Sequence, residues 1–273
     1  MLTAKRAFAL SAASAPLLPQ PDSLAPLWGK LGAKPREGDL VMIAGRPGHQ
    51  KSGFAMFWVA EMKLPTLYVS GDMTAFEATS RLASMRTGET AEEVEAGWLT
   101  DEGRQRYGDA LRDVDFTFSF GSPITWAAIE AELDAYVELH NVLPKILVID
   151  NLMDMEGGES DYTAQTAIMQ DLTGLSRETG ITVIVLHHAT DKGARAQSDP
   201  GLPPPRGEIK NGLSEKPQLI FTVAFYDELA PARLRVACVK QRSGKADASA
   251  ATWVELRAFP EVTRFEPWNP LAR

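Results

Sequence analysis

Residues Gly45, Arg46, Pro47, Gly48, His49, Gln50, Lys51, Ser52 and Gly53 make a glycine-bearing turn directly after the apolar run Leu40 to Ala44. Phe54 to Met62 then reads as a helix, which gives the order strand, turn, helix that a phosphate loop needs. Backbone N–H groups of such a turn cradle phosphate oxygens, and the positive end of the following helix dipole adds attraction. In that chemistry Lys51 reaches the β and γ phosphates and the Ser52 hydroxyl ligates Mg²⁺. Gln50 stands where the usual G-x-x-x-x-G-K-S/T pattern has its second glycine. Where that position needs a positive φ, a side chain there costs roughly 1 kcal/mol.

Other apolar runs end in groups suited to phosphate transfer. Asp150 closes Ile146 to Ile149 and matches a carboxylate that holds Mg²⁺ across from Ser52. Asp72 follows the run Thr66 to Ser70, where it either orients the water that attacks a γ-phosphate or caps the helix beginning near Thr74. His188, with His187 as the alternative, ends the run Ile181 to Leu186 and is placed to donate a hydrogen bond to that phosphate or water. A metal centre on the two histidines is not expected, since no Cys or further His lies near at ligand spacing. Lys240 and Arg242 follow the run Arg233 to Val239. Two apart at a strand end, they either reach together for a phosphate held by another subunit or form the basic tips of a solvated turn.

The elements that must position these groups alternate. Helices are expected over Ala75 to Arg86, within Thr90 to Arg112, from Ser122-Pro123 to about His140 with Pro in the first turn, and over Thr163 to Thr179. They separate strands that include Val114 to Phe120 and the uninterrupted apolar runs before Asp150 and His187. Such runs suit parallel strands buried on both faces, so the expected fold is α/β, a mostly parallel twisted sheet flanked by helices. Ligands of such sheets bind at the carboxyl ends of the strands. Leu219 to Tyr226, Arg233 to Lys240 and Ala251 to Ala258 read as a C-terminal antiparallel extension. Thr190 to Lys210 has no apolar periodicity and carries Lys192, Arg195, Arg206 and Lys210, a loop of the length that is more often functional than idle.

One domain over 21–273 is expected, preceded by an arm over 1–20 with a short helix from Thr3 to Ala13 that either docks on a neighbour or frays. Lys5-Arg6 before Ala7 to Leu18 has the outline of a secretory signal, but Ser11, Ser14 and Pro16 break its apolar run. The single cysteine, Cys238, allows no internal disulfide and fits a reducing cytoplasm. No run approaches the ~20 apolar residues that span a bilayer. A net charge of −8 argues against a surface that attracts nucleic acid everywhere, but leaves room for a local basic channel.

Taken in order, these motifs resemble the RecA-like motor domain of DnaB-type replicative helicases over roughly residues 22 to 260. The resemblance rests on Ala44-Gly45-Arg46-Pro47, Ser70-Gly71-Asp72-Met73 with Arg81-Leu82-Ala83-Ser84, Val148-Ile149-Asp150-Asn151-Leu152 and Lys240-Gln241-Arg242-Ser243-Gly244. It implies a RecA-like P-loop NTPase that binds ATP and Mg²⁺ through Lys51, Ser52 and Asp150. It implies a catalytic carboxylate at Asp72, where the family usually has Glu, and a γ-phosphate sensor at His188, where the family has Gln. Lys240 and Arg242 then correspond to finger residues inserted into the neighbouring subunit of a hexameric ring. Loops facing the hole would grip single-stranded DNA, here through Lys192, Arg195, Arg206 and Lys210. The helical N-terminal domain of full-length replicative helicases has no counterpart here, so the expectation is a phage-type or accessory motor working with replication or recombination partners. Two other functions fit the same motifs: a RecA-like recombination or loader ATPase that binds DNA without unwinding, and a non-hydrolysing nucleotide switch suggested by Gln50 and Asp72.

Overall fold

Apolar strands with both faces covered decide this architecture. In the computed structural model, which describes residues 15–159, 162–228 and 231–268, every residue of Leu40–Gly45 (β1), Thr66–Ser70 (β2) and Ile146–Asp150 (β4) is buried. The remaining strands are Phe116–Phe120 (β3), Thr182–His188 (β5), Leu219–Tyr226 (β6), Arg233–Gln241 (β7), Trp253–Phe259 (β8) and Arg264–Pro267 (β9). They form one nine-stranded sheet in the order β3-β2-β4-β5-β1-β6-β7-β8-β9. Pairings from β3 through β6 are parallel, and those from β6 through β9 are antiparallel. The carboxyl ends of β1, β2, β4 and β5 therefore emerge side by side at one edge.

The helices are Ala25–Gly29 (α1), Lys51–Met62 (α2), Ala75–Thr87 (α3), Ala91–Trp98 (α4), Asp101–Leu111 (α5), Trp126–His140 (α6), Tyr162–Thr179 (α7) and Ala194–Ser198 (α8). In α2 only Ser52 and Glu61 escape burial, as suits a helix that is apolar all round. Trp58 of α2 is fully buried against Trp28 and Phe221, with ring centroids 5.9 and 5.6 Å away. Phe265 of β9 packs edge-on against Phe54 and Phe57. The last strand thus fixes the helix that carries Lys51 and Ser52.

Several boundaries differ from those read in the sequence. The helix expected to start at Ser122-Pro123 begins instead at Trp126, because the Thr125 hydroxyl accepts the Ala128 N–H and supplies the cap. Pro123 lies in the preceding turn, after a cis peptide bond. The region from Thr90 to Arg112 splits into two helices, each started by its own threonine cap, Thr90 or Thr100. The segment 190–210 is not featureless, since it contains α8 and a 3₁₀ turn over Arg206–Glu208. β9 went unread because it has only four residues and follows Pro260. The helix expected over Thr3 to Ala13 lies outside the described residues. Just after it, Leu18 is in the core and its N–H donates to the Pro35 carbonyl.

Trp58→Ala should cost about 3–5 kcal/mol, read as a lower urea midpoint with an unchanged slope.

Candidate active site

The turn after β1 curls back because two of its residues take the left-handed backbone conformation: Gly48 at φ 76° and Gln50 at φ 58°, ψ 29°. Gln50 accepts that strain, so the loop forms without its second glycine. Gly45 is required for a different reason, since a Cβ there would lie 2.9 Å from both the side chain and the carbonyl of Val223. The Lys51 ammonium folds back onto the Arg46 carbonyl at 3.1 Å. Burial pulls Lys51 down to about 8, against the opposing pull of Asp150, Asp191 and Asp72.

Asp150 sits at the end of β4, 4% exposed, and each of its oxygens has a partner. The Ser52 hydroxyl donates to Oδ1 at 3.0 Å and the Tyr68 hydroxyl to Oδ2 at 2.8 Å. Burial raises the carboxyl, while the two hydroxyls and Lys51 act to lower it. A hydroxyl beside a carboxylate, both hard oxygen donors, fits Mg²⁺ completed by phosphate oxygens and waters.

Asp72 stands exposed at the end of β2. The cap of α3 is Thr74, in a reciprocal capping box with Glu77, so the capping role weighed for Asp72 is already filled. The Asn151 amide, directly after Asp150, points at Asp72 Oδ2 from 3.5 Å. His188 Nδ1 lies 3.5 Å from the Lys51 ammonium, which can only donate, so Nδ1 is the acceptor and the proton sits on Nε2. Burial and the nearby charges of Lys51 and Lys210 hold His188 down at about 4, neutral at physiological pH. His188 therefore does not add the titration near pH 7 that an ordinary imidazole would. Asp72, Asn151, His188, Pro47, Lys192 and Lys210 line a cleft of about 580 Å³. Gly48, Gln50, Lys51, Ser52 and Gly53 line a second, smaller one with Arg81.

Other residues singled out in the sequence go elsewhere. The Arg46 guanidinium is buried away from the loop it belongs to: it pairs with Glu208 at 3.3 Å and donates to the Pro200 and Leu202 carbonyls. His49 Nδ1 accepts the Phe225 N–H at 3.1 Å, fastening the loop to β6, and burial takes it down to about 4. Of the basic residues in 190–210, Lys192 and Lys210 reach the cleft beside His188, but Arg195 donates to the Ser249 and Ala250 carbonyls. Arg206 is exposed, and its N–H donates to the Ala248 carbonyl.

Lys240 and Arg242 are not near this loop either. Gln241 pairs with Leu219, which pairs with Val41, so the turn carrying Arg242 leaves the sheet where β1 begins. About 16 Å of strand separates that end from Gly45 at 3.3 Å per residue. Nor are the two cations equally free. The Lys240 ammonium is spent on the Ser214 and Glu215 carbonyls, while Arg242 lies past the strand and is exposed. Gln241 between them holds the turn down, accepting the Lys34 N–H and donating to the Gly32 and Lys245 carbonyls.

Reading the sequence passed over Tyr68 and Glu208, and placed Asn151 and Arg81 in motifs without giving either a role. Tyr68 lies two residues before Ser70 on the same face of β2, and the parallel pairing Ser70 to Asp150 is what brings its hydroxyl to Asp150. Glu208 is the acidic centre of 190–210, taking Arg46 on one oxygen and the Arg195 N–H on the other. Nothing local in the sequence marks either role.

A parallel sheet whose first strand opens into this turn, extended by antiparallel strands, is the RecA-like ATPase fold. Residues 32–266 match the family model of the DnaB-like helicase C terminal domain, and the chain belongs to that family. It is 31% identical over 243 residues to the Gene 65 protein of Mycobacterium phage L5, covering 86% of this chain and 89% of that one. Its identity to the Gene 65 protein of Mycobacterium phage D29 is 30% over 235 residues, covering 84% of this chain and all of that one. Among solved structures, an ATPase domain superposes with a TM-score of 0.71 at 18% identity, covering 85% of this chain and 86% of the other. A DnaB-like replicative helicase, solved in a study of its interactions with primase, gives 0.73 at 17%, over 92% of this chain and 62% of the other. Among the described residues, no helix is long and apolar enough to cross a membrane.

Tyr68→Phe should cost about 1.5–3 kcal/mol at pH 7 by urea denaturation, because the buried Asp150 loses a donor. The Lys51 shift also gives a pH dependence to test for ATP as a ligand of this turn. An ammonium that holds phosphates loses its proton as pH rises through about 8. ATP affinity measured by calorimetry should therefore be flat at lower pH and fall above 8. Lys51→Arg, charged throughout, should lack that fall whatever its absolute affinity.

Proposed function

We propose that this chain is an ATP-hydrolysing motor that moves on single-stranded DNA as a ring, with its active sites at subunit interfaces. The observation that carries this reading is the division of the parts. Lys51, Ser52, Asp150, Asp72 and His188 gather at the carboxyl edge of the sheet, and Arg242 stands exposed at the opposite edge. A cation so placed is of no use to its own site. Head-to-tail copies whose rotation closes into a ring would bring it to the next one.

In this scheme ATP is the substrate, its phosphates lying on the N–H groups of 46–52 with Lys51 against the β and γ oxygens. Ser52 and Asp150 would hold Mg²⁺, which would supply neutralisation of the phosphate charge. Asp72, kept near Asp150 by Asn151, orients the attacking water, and the neutral His188 donates through Nε2–H to the γ-phosphate. Arg242 from the neighbour completes the charge stabilisation, the finger role in phosphoryl transfer. Lys240, occupied by two carbonyls, serves to position the turn. Lys192 and Lys210 are the better candidates for DNA phosphates, because they reach open space beside the site while Arg195 is tied down. Membership of a helicase family supports the motor over a loader that only holds DNA. The left-handed Gln50 lets the loop close, which removes one of the two reasons for a non-hydrolysing switch.

Steady-state ATP hydrolysis with Mg²⁺ should rise on adding single-stranded DNA, and Lys51→Ala should abolish both basal and stimulated rates. Arg242→Ala subunits mixed into wild-type protein should depress turnover by more than their share, since each disables a neighbour's site. Proportional dilution would mean independent subunits and would overturn the ring.

A further inference from the structure

Between the active site and the basic segment lies a polar side chain that neither catalysis nor binding uses. Gln165, on α7, is fully buried. Its Nε2 donates to the Gly158 carbonyl at 2.6 Å and lies 3.3 Å from the Met153 sulfur, while its Oε1 accepts the Asn211 amide at 2.9 Å. One amide therefore joins two stretches far apart in the chain. The first, 151–158, starts at the catalytic edge: Asn151 faces Asp72, and the Asn151 N–H donates to Asp154 at 3.0 Å. The second contains Lys210, next to Asn211. The Lys210 carbonyl accepts Nε2–H of the fully buried His187 at 3.0 Å, and His187 adjoins His188.

The Gln165 amide offers its donor to one stretch and its acceptor to the other. Burial makes both bonds costly to lose, because an unpaired buried amide forfeits its solvation. Asn211 takes the left-handed conformation, φ 56°, as the turn presents its side chain to α7. The arrangement is a continuous path: Lys51 to His188, along the backbone to His187, across to Lys210 and Asn211, through Gln165, and by 158–151 to Asp72.

We propose that Gln165 is a positioning residue that locks 151–158 and 206–213 into one unit, so that a strand held at Lys210 changes the placement of Asp72 and its water. The proposal rests on the motor reading above. Coupling of this kind is worth about 5-fold to 150-fold between sites.

The test compares hydrolysis by the full chain with and without oligo-dT in wild type, Gln165→Met, which keeps volume while removing both hydrogen bonds, and Asn211→Gly, which keeps the left-handed backbone. The expected result is an unchanged basal rate in both variants with stimulation reduced at least about fivefold. The double variant should lose no more than either single one, because both break the same link. Wild-type stimulation in Asn211→Gly would overturn the proposal, and so would basal and stimulated rates falling in equal proportion in both variants. If Gln165→Met fails to fold, Asn211→Gly decides, since its side chain is on the exposed side of the link. A wild-type chain that hydrolyses ATP with no response to DNA would instead overturn the motor reading, and this proposal with it.

Discussion

A carboxylate buried at the end of a strand must find donors, and the rest of this molecule is arranged around that need at Asp150. Asp150 is 4% exposed, so its charge rests on the Ser52 and Tyr68 hydroxyls and on the nearby Lys51 ammonium. Ser52 supplies its hydroxyl only because α2 begins at Lys51, and α2 is held by Trp58 and by Phe265 from the last strand. The aromatic packing at the far end of the chain is thus part of what sets a distance of 3.0 Å at the site.

Electrostatics keep the centre poised. With Lys51 pulled down and Asp150 pushed up, both groups are less firmly charged than they would be in water, which is the expected effect of burial on opposite charges. Bound phosphates would reverse the shift on Lys51 by stabilising the ammonium. His188, held neutral, keeps a donor on Nε2 across the physiological range.

Sheet polarity explains why a single subunit would be incomplete in the proposed reaction. Parallel strands bring their carboxyl ends to one edge, and the reversal at β7 sends Arg242 to the other. The segment 190–213 is pinned near its C-terminal side by the buried Arg46 to Glu208 pair and, two and three residues further on, by His187 at Lys210 and Gln165 at Asn211. Breaking one partner of such a pair leaves an uncompensated charge, so this segment is anchored more firmly than its composition suggests.

Much of this was legible from local pattern. The apolar runs ending in Asp150 and His187, the glycine-bearing turn before Lys51, and the helical spacings between them required an alternating α/β chain with its chemistry at strand ends. Periodicity and turn geometry act over a few residues, so one sequence carries them. Partnership across the sheet does not work that way. Tyr68 reaches Asp150 through a register shared by β2 and β4, Arg46 turns from the loop to Glu208, Lys240 is absorbed by two carbonyls, and Gln165 meets Asn211. The sequence by itself determined which groups stand at the strand ends. Only the tertiary structure decided which of them touch, because burial makes each polar group take whichever partner the packing brings within reach, however distant in the chain.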